Sequence, residues 1–297
     1  MVYLRSFSLP SARAENAYFD PNNPAFSTKN YRTINTSIYP FGVFGFRKMP
    51  EEFEFGEITI FCGNNGSGKS TILNVIAEKL RVARTSVYNR TDFFDDYADL
   101  CRFTTFGTIP RISRIITSDD VFDKVLDIRR INDGIESKRT ELIKEFISIR
   151  KDGDPCLHGL DDYDRWKNTI EVQRKSASQS EYIRPRVMQM INEKSNGESA
   201  LAFFVDAIKD GALYLLDEPE NSLSPSNQLE LKYFLEDCAR SHGCQFIIST
   251  HSPFILSLRH AKIYDIDTAP PTVCPWTELD CVKVYHDFFR ENDNMFK

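Results

Sequence analysis

The stretch Gly63-Asn-Asn-Gly-Ser-Gly-Lys-Ser-Thr71 decides the fold, because it is a complete phosphate-binding loop of the pattern G-x-x-x-x-G-K-[ST]. The apolar run Ile58-Thr-Ile-Phe-Cys62 before it predicts a buried strand, and Leu73, Ile76 and Leu80 after it predict a helix. A strand, a glycine loop and a helix in this order are the context that the pattern requires. The stretch therefore predicts a binding site for a nucleoside triphosphate.

The residue types in the loop match the chemistry of a triphosphate. Glycines let backbone N–H groups turn toward phosphate oxygens at the positive end of the following helix. Lys69 is expected to place its charge near the β- and γ-phosphates, and the Ser70 hydroxyl is expected to bind Mg²⁺. No residue identifies the base. The predicted binding residues are Asn64, Asn65, Gly66, Ser67, Gly68, Lys69, Ser70 and Thr71.

The composition indicates a folded protein without an overall preference for nucleic acids. The 297 residues are 41% hydrophobic and 12% aromatic, which is enough to bury a core. The formal net charge is −6, so any nucleic-acid-binding surface would have to be local. The length fits one large α/β domain with an insertion, or two small domains.

The cysteines and the N-terminus predict a cytoplasmic protein. The seven cysteines are Cys62, Cys101, Cys156, Cys238, Cys244, Cys274 and Cys281. They form no C-x-x-C pair and no zinc-site spacing with the histidines, and an odd, scattered set fits a reducing compartment. The first residues do not resemble a signal sequence, and no apolar run approaches the ~20 residues that cross a bilayer. We expect no membrane partner.

Apolar strands alternate with helical patterns toward the C-terminus. Residues 212–216, 245–249 and 263–266 predict buried strands. Between the first two, Ser224-Pro225 predicts the cap and first turn of a helix, and Gly243 lies past its end. Alternating strands and helices predict an α/β fold, with a mostly parallel sheet flanked by helices on both faces.

The chain is predicted to have two halves of one domain separated by an insertion. Residues 1–118 are expected to combine an N-terminal β-layer, which includes β-like stretches at 3–7 and 37–41, with the phosphate-loop half of the domain. Residues 195–297 are expected to form the other half. The segment between them, 119–194, is expected to be an inserted helical subdomain.

The inserted segment begins with a charged helical pattern. Apolar residues near heptad spacing in 119–152 predict a lid or a short hairpin, too short for long coiled-coil arms. The following residues 164–194 are rich in Lys and Arg, with Trp166 and Tyr182 among them. This stretch fits either a solvated helical face or a contact with a partner or nucleic acid.

Two further sets of polar residues follow predicted strands. Asp217 and Glu218 end the strand 212–216, and His251 follows the strand 245–249. The carboxyl ends of parallel strands meet at the sheet edge where the phosphate loop also lies. We therefore expect Asp217 to bind Mg²⁺, Glu218 to polarise an attacking water, and His251 to contact the γ-phosphate.

Three motifs together resemble those of the ABC ATPases: the phosphate loop, Leu213-Tyr-Leu-Leu-Asp-Glu-Pro-Glu220 and Ser249-Thr-His-Ser-Pro253. They are most similar to the small stand-alone ATPases that are grouped with SMC-like DNA-repair and defence ATPases. The similarity covers most of residues 37–290. It implies a P-loop NTPase fold with an ABC-ATPase-like head, and ATP with Mg²⁺ as its ligands.

The resemblance also implies a composite site in a homodimer. Ser195-Asn-Gly-Glu-Ser199 lies where the ABC ATPases have their signature motif, so Ser195, Gly197 and Glu198 are implied to contact the γ-phosphate bound by a second copy. Asn221-Ser-Leu-Ser-Pro225 matches the loop that lines the dimer seam. We expect ATP to join the two copies and hydrolysis to separate them.

Two features depart from the ABC pattern. These ATPases usually carry a glutamine after the second core strand, but residues 112–122 contain none; Ser118, Asp119 and Asp120 are the candidate substitutes. The signature also lacks the paired glycines that are common in transporters. The second departure weakens a transport function.

Four functions remain open. The resemblance to defence ATPases, including those encoded beside HNH nucleases in Septu-like and retron systems, implies an ATPase that regulates a partner nuclease through residues 119–194. A DNA-repair-type ATPase would act on DNA directly, and DNA or RNA is a possible partner. The other two are an ABC transporter ATP-binding subunit and a nucleotide sensor that does not hydrolyse ATP.

Overall fold

The computed structural model describes residues 1–20, 22–24, 37–44, 49–50, 52–151, 183, 196–221 and 223–296. The chain divides into two compact units. Met1–Phe122 and Asn196–Lys297 form the first unit, and Asp123–Ser195 form the second. The site described below lies in the first unit.

Two sheets form within the described residues. A three-stranded antiparallel sheet has the order β2-β1-β4, and a six-stranded sheet has the order β5-β6-β7-β3-β8-β9. In the larger sheet only the last pair, β8 and β9, is antiparallel. The strands are β1 (Leu4–Ser8), β2 (Phe53–Glu54), β3 (Ile58–Cys62), β4 (Arg102–Thr105), β5 (Arg114–Thr117), β6 (Leu213–Asp217), β7 (Gln245–Ser249), β8 (Lys262–Asp265) and β9 (Thr272–Val273).

Eight α-helices are present in the part of the chain that the structure describes. Their ends follow the local sequence: Ser224 caps the sixth helix through a hydrogen bond from the Asn227 N–H, with Pro225 in its first turn. The helices are α1 (Ala12–Tyr18), α2 (Lys69–Leu80), α3 (Phe94–Leu100), α4 (Ser118–Lys151), α5 (Asn196–Ala207), α6 (Pro225–Ser241), α7 (Pro253–Leu256) and α8 (Asp280–Glu291). Among the described residues, no helix combines the length and the apolar character needed to span a bilayer.

Hydrophobic clusters cover both faces of the larger sheet. Because side chains alternate along a strand, Phe61 faces one side and Ile60 the other. On the first face, Leu215 and Ile247 pack with α2; on the second, Leu216 and Ile248 pack with α5 and α6. The predicted α/β fold, with a mostly parallel sheet between helices, is therefore confirmed.

The pairing register of the parallel strands brings polar residues together at the edge of the sheet where these strands have their carboxyl ends. Asp217 at the end of β6 pairs with Ser249 on β7 and with Thr117 on β5. The phosphate loop leaves the end of β3, which lies between β7 and β8. Three separate parts of the sequence therefore meet at one edge.

One predicted element is wrong, and one alternative for another is excluded. Residues 37–41, expected as a strand, form turns in which Phe41 N–H donates to the Ile38 carbonyl. Pro40 lacks an N–H for a strand ladder, and Phe41 instead stacks on Tyr18. The helical pattern expected over 119–152 is confirmed as one continuous helix, α4, which excludes the short hairpin and leaves the lid as a prediction.

The second unit is described only in part. The exposed face of α4 carries ion pairs between residues three apart, such as Arg130 with Asp127 and Arg139 with Glu136. Val125 and Leu142 are buried, whereas Ile131 is exposed. The basic stretch 164–194, with Trp166 and Tyr182, lies outside the described residues except for Ile183.

Candidate functional site

The phosphate loop is shaped by two glycines with positive φ. Gly68 has φ +101°, and a Cβ at this position would lie 2.7 Å from the Phe44 ring. Gly66 also has a positive φ, of +79°. Both values lie in the region that favours glycine. The loop thus passes into α2 with its backbone N–H groups near the positive end of the helix dipole.

Lys69 extends back across the loop. Its Nζ donates to the carbonyl oxygens of Gly63 at 2.7 Å and Asn64 at 3.3 Å, and the residue is only 4% exposed. A buried ammonium group needs polar partners. The ammonium group is therefore held inside the curve of the loop, where phosphate oxygens would bind.

Ser70 and Asp217 are in direct contact although 147 residues separate them. The Ser70 hydroxyl donates to Asp217 Oδ1 at 2.9 Å, and the Ser249 hydroxyl donates to the same oxygen. Burial raises the pKa of Asp217, while these two hydrogen bonds and the charge of Lys69 oppose that rise. A hydroxyl and a carboxylate side by side match the oxygen ligands that Mg²⁺ prefers.

Glu218 is held in an uncommon backbone conformation. Its φ of +48° is left-handed, which costs a residue other than glycine about 1–3 kcal/mol unless its surroundings fix it. Glu218 N–H donates to the Ser249 carbonyl at 2.9 Å, and Glu218 Oε2 accepts from Asn221 Nδ2 at 3.0 Å. These bonds fix the carboxylate at the sheet edge next to Asp217.

His251 lies between two carboxylates. Its Nδ1 is 3.9 Å from Glu218 Oε1 and 3.7 Å from Glu220 Oε1, beyond hydrogen-bonding distance in both cases. Among the described residues this buried nitrogen has no hydrogen-bond partner. His251 is therefore positioned beside Glu218, with an unused polar atom.

Glu220 fixes the backbone that carries His251. Its Oε1 accepts from the Thr250 hydroxyl at 2.6 Å, from His251 N–H at 3.1 Å and from Ser252 N–H at 3.3 Å. The residue is 6% exposed, and burial raises its pKa above the ordinary value of a glutamate. Three donors on one oxygen make Glu220 the acceptor that holds the segment after β7.

Asp267 supports the loop from the other side. Its Oδ2 accepts from Asn64 N–H at 2.8 Å. A Cβ on Gly63 would lie 3.1 Å from Asp267 Oδ1 and 2.9 Å from Ser67 Oγ, so the start of the loop is tightly packed. The loop is therefore fixed both by Lys69 and by an acid that follows β8.

The arrangement fits a magnesium–triphosphate ligand. The loop is packed so closely that a Cβ on Gly68 would collide with the Phe44 ring. The ammonium of Lys69 lies inside the loop, and Ser70 and Asp217 present adjacent oxygen atoms. Backbone N–H groups and one ammonium suit phosphate oxygens, and hard oxygen donors suit Mg²⁺. The phosphates would bind along 63–71, and Ser70 and Asp217 would hold the metal.

Most of the predicted site residues lie together, and a few do not. Asn64, Asn65 and Gly66 form the exposed outer edge of the loop, and Ser67 is buried beneath it. Thr71 is turned to the protein interior, where its Oγ1 accepts from the Tyr39 hydroxyl at 3.0 Å. Ser195 lies outside the described residues; Gly197 and Glu198 lie in the first turn of α5, and their side chains are not described.

Asp120 is the best placed of the three candidate substitutes for the missing glutamine. Its Oδ2 accepts from Thr117 N–H at 2.8 Å and from the Thr117 hydroxyl at 3.0 Å. Thr117 pairs with Asp217 across the sheet. Asp120 Oδ1 is buried without a hydrogen-bond partner among the described residues, whereas Asp119 is exposed.

Sequence reasoning missed Ser249, Glu220 and Asp267 as parts of the site. Ser249 and Glu220 lie inside the motifs that carried the family resemblance, but no role followed from their spacing. Asp267 follows the predicted strand 263–266, so the rule that identified Asp217 also applies to it. Polar residues at each strand's carboxyl end were the available signal.

Replacing Glu220 with alanine is expected to destabilise the protein more than replacing it with glutamine. Alanine would leave the Thr250 hydroxyl and the His251 N–H without this acceptor, whereas Ser252 N–H would still donate to Thr250 Oγ1, and one unsatisfied buried group costs about 1–3 kcal/mol. Glutamine keeps a carbonyl oxygen for them. Urea titration of both variants would measure the free energies of unfolding, and equal losses would contradict this role.

Part of the chain matches a known protein family. Residues 117–257 match the family model described as "AAA domain, putative AbiEii toxin, Type IV TA system". The matched range contains Asp217, Glu218 and His251 and begins after the phosphate loop. The strand, the glycine loop and the helix, set in a mostly parallel sheet, define the fold as that of a P-loop NTPase.

The similar proteins are distant. The "Uncharacterized ABC transporter ATP-binding protein MJ0089" of Methanocaldococcus jannaschii is 26% identical over 219 residues, 71% of this chain and 71% of that protein. "ABC transporter G family member 7" of Dictyostelium discoideum is 25% identical over 210 residues, 67% of this chain but only 22% of that protein. The Smc head domain from Pyrococcus furiosus, solved bound to the C-terminal domain of ScpA, is 14% identical, with 98% and 100% of the two chains covered and a TM-score of 0.42.

Proposed function

We propose that this chain is a magnesium-dependent ATPase that acts as an ATP-joined homodimer and regulates a partner nuclease in antiviral defence. The contact between Ser70 and Asp217 carries the proposal, because it joins the phosphate loop to the acidic end of β6. Glu218 follows directly, fixed in a strained conformation beside that contact. This is the geometry that hydrolysis of a bound triphosphate requires.

Each side chain has one task in the proposed reaction. The loop N–H groups and Lys69 bind and orient the phosphates, and Ser70 and Asp217 hold the metal ion, which offsets charge on the phosphates when bound. Glu218 accepts a proton from the attacking water. His251, which Glu220 positions through its backbone, donates to the γ-phosphate.

The positions of α2 and α5 support the proposed homodimer. The phosphate loop leads into α2 on one face of the sheet, whereas α5, which begins with the signature residues, packs on the opposite face. The signature of one copy would therefore meet the loop of a second copy more readily than its own. Ser195, Gly197 and Glu198 of one copy would then close the site of the other.

One observation favours regulation of a partner. The description of the matching family names a toxin–antitoxin system, which by its name has more than one component. We propose that an HNH-type nuclease or another defence effector binds the inserted segment 119–194 in the cytoplasm.

Direct action on DNA is the second candidate, favoured by the basic stretch 164–194. For a protein that contacts DNA phosphates, the logarithm of affinity falls linearly with the logarithm of salt concentration. With a net charge of −6, the purified protein is expected to bind duplex DNA weakly and without a steep salt slope. Fluorescence anisotropy across a salt series would measure this, and tight, strongly salt-dependent binding would favour the DNA-repair-type alternative.

The two remaining alternatives have less support. The curated relatives are ABC transporter proteins by name. Residues 112–122, around the end of β5, lack the glutamine that a transporter would use for coupling. A nucleotide sensor would bind ATP and release no phosphate. A phosphate-release assay on the purified protein with Mg²⁺ and ATP separates that sensor from the proposed ATPase.

A further inference from the structure

Two cysteines far apart in sequence meet beside the phosphate loop. Cys62 is the last residue of β3, and Cys281 lies in the first turn of α8. Their sulfur atoms are 3.5 Å apart, and both residues are free thiols. A disulfide needs the sulfurs to approach to about 2.05 Å. The remaining gap is small enough for side-chain rotation to close.

The two thiols differ in the way that a peroxide-sensing pair requires. Cys62 is buried, with 2% of its surface exposed, whereas Cys281 is partly exposed. Cys281 lies at the N-terminal end of a twelve-residue helix, where backbone N–H groups favour a thiolate. The contact between the two thiols lowers the pKa of Cys281 against the effect of its burial, and the same contact, together with burial, raises the pKa of Cys62.

We propose that Cys62 and Cys281 form a disulfide when hydrogen peroxide oxidises Cys281, and that this bond controls the phosphate loop. The Cys281 thiolate attacks one peroxide oxygen, so that an S–O bond forms, the O–O bond breaks and hydroxide leaves. The product is a sulfenic acid. The Cys62 sulfur then attacks the Cys281 sulfur: the S–S bond forms, the S–O bond breaks, and the hydroxide leaves as water with the Cys62 proton. Two thiols lose two electrons, and the peroxide is reduced to two waters.

The position of Cys62 connects this bond to the nucleotide site. Cys62 precedes Gly63, whose carbonyl accepts from Lys69 Nζ at 2.7 Å. Gly63 is closely packed against Ser67 and Asp267, so a backbone shift at Cys62 would be transmitted to the loop and not absorbed at Gly63. If forming the disulfide adds a small shift of Cys62 toward α8 to the side-chain rotation, this carbonyl moves and with it the lysine. Oxidation is therefore expected to weaken ATP binding, a consequence that rests on the proposed function.

The test treats the full-length protein with hydrogen peroxide and maps its disulfides by mass spectrometry after digestion. We expect a peptide containing Cys62 linked to one containing Cys281, with the loss of two titratable thiols that dithiothreitol restores. Cys281→Ser should abolish the link, and Cys274→Ser, a matched change at a partly exposed neighbour, should retain it. Cys62→Ala provides a second variant if the first does not fold.

The outcomes separate this inference from the proposed function. A link between Cys281 and Cys274, or Cys281 oxidised alone beyond sulfenic acid, would overturn the disulfide. The disulfide does not depend on ATP, so it can be detected by mass spectrometry even if the protein binds no nucleotide. If the link forms and ATP affinity is the same before and after reduction, the control of the phosphate loop is wrong.

Discussion

Lys69→Ala is expected to weaken ATP binding by about 10–100-fold, since a hydrogen bond to a charged group contributes about 1.5–3 kcal/mol. The Lys69 ammonium lies inside the loop, 2.7 Å from the Gly63 carbonyl, where β- and γ-phosphate oxygens would replace the carbonyls as its partners. Isothermal titration calorimetry with Mg²⁺ and ATP would measure the loss. An unchanged affinity for ATP would show that the loop is not part of the nucleotide site.

Two further variants separate charge from packing. Lys69→Met keeps most of the buried aliphatic chain and removes only the ammonium, so it should lose affinity as the alanine variant does. The control is Lys79→Ala. Lys79 lies on the same helix, and its Nζ donates to the Asp99 carbonyl, away from the loop. This control should bind ATP normally. Circular dichroism would verify that all three variants are folded.

The parts of the fold that were predicted correctly have strong local signals. β6 and β7 contain the apolar runs Leu213–Leu216 and Phe246–Ile248, which are buried on both faces of the sheet, and α6 begins at a Ser-Pro cap. The phosphate loop requires positive φ at Gly66 and Gly68, which only glycine adopts readily. In these elements the local preference and the tertiary structure agree, so the sequence pattern was sufficient.

The parts that were missed depend on contacts between distant residues. β4 is exposed and lacks an apolar pattern; it becomes a strand because it pairs with β1, about a hundred positions earlier. Helix α1 has only seven residues, too few for a periodic pattern, and its buried Tyr18 stacks on Phe41 from the segment expected to be a strand. Pairing with a distant strand decided β4, and aromatic packing accompanies α1; alternation of residue types could predict neither.

The candidate site also has a part with a local signal and a part that depends on distant contacts. Asp217, Glu218 and His251 were expected at one sheet edge because they follow predicted strands, and the register of β6 and β7 pairs Asp217 with Ser249 there. The sequence could not predict that Glu220 accepts three hydrogen bonds from the segment after β7, because these bonds depend on the conformation of both segments. The position of the candidate residues was therefore predictable from the sequence, the groups that fix their geometry were not, and their chemical roles stay predictions.

Glu218→Gln is expected to keep ATP binding and to reduce the rate of hydrolysis by about 10²–10⁴-fold, the usual contribution of a positioned general base. Glutamine has nearly the same shape and retains an oxygen for the Asn221 amide, but it cannot accept a proton from water. The loop, Ser70 and Asp217 are unchanged, so affinity should persist. Phosphate release and calorimetry on the same preparation would separate the two effects.

The same variant also tests the proposed dimer. If ATP joins two copies and hydrolysis separates them, a protein that binds without hydrolysing should accumulate as a dimer when Mg²⁺ and ATP are present, and light scattering after gel filtration would measure its mass. Glu230→Gln, the same change at an exposed position of α6, should hydrolyse ATP and return to its starting state. Normal turnover in Glu218→Gln would assign the base to another residue. Lost turnover without a dimer would retain the catalytic role and reject the composite site, because nothing in the monomer would then require a second copy.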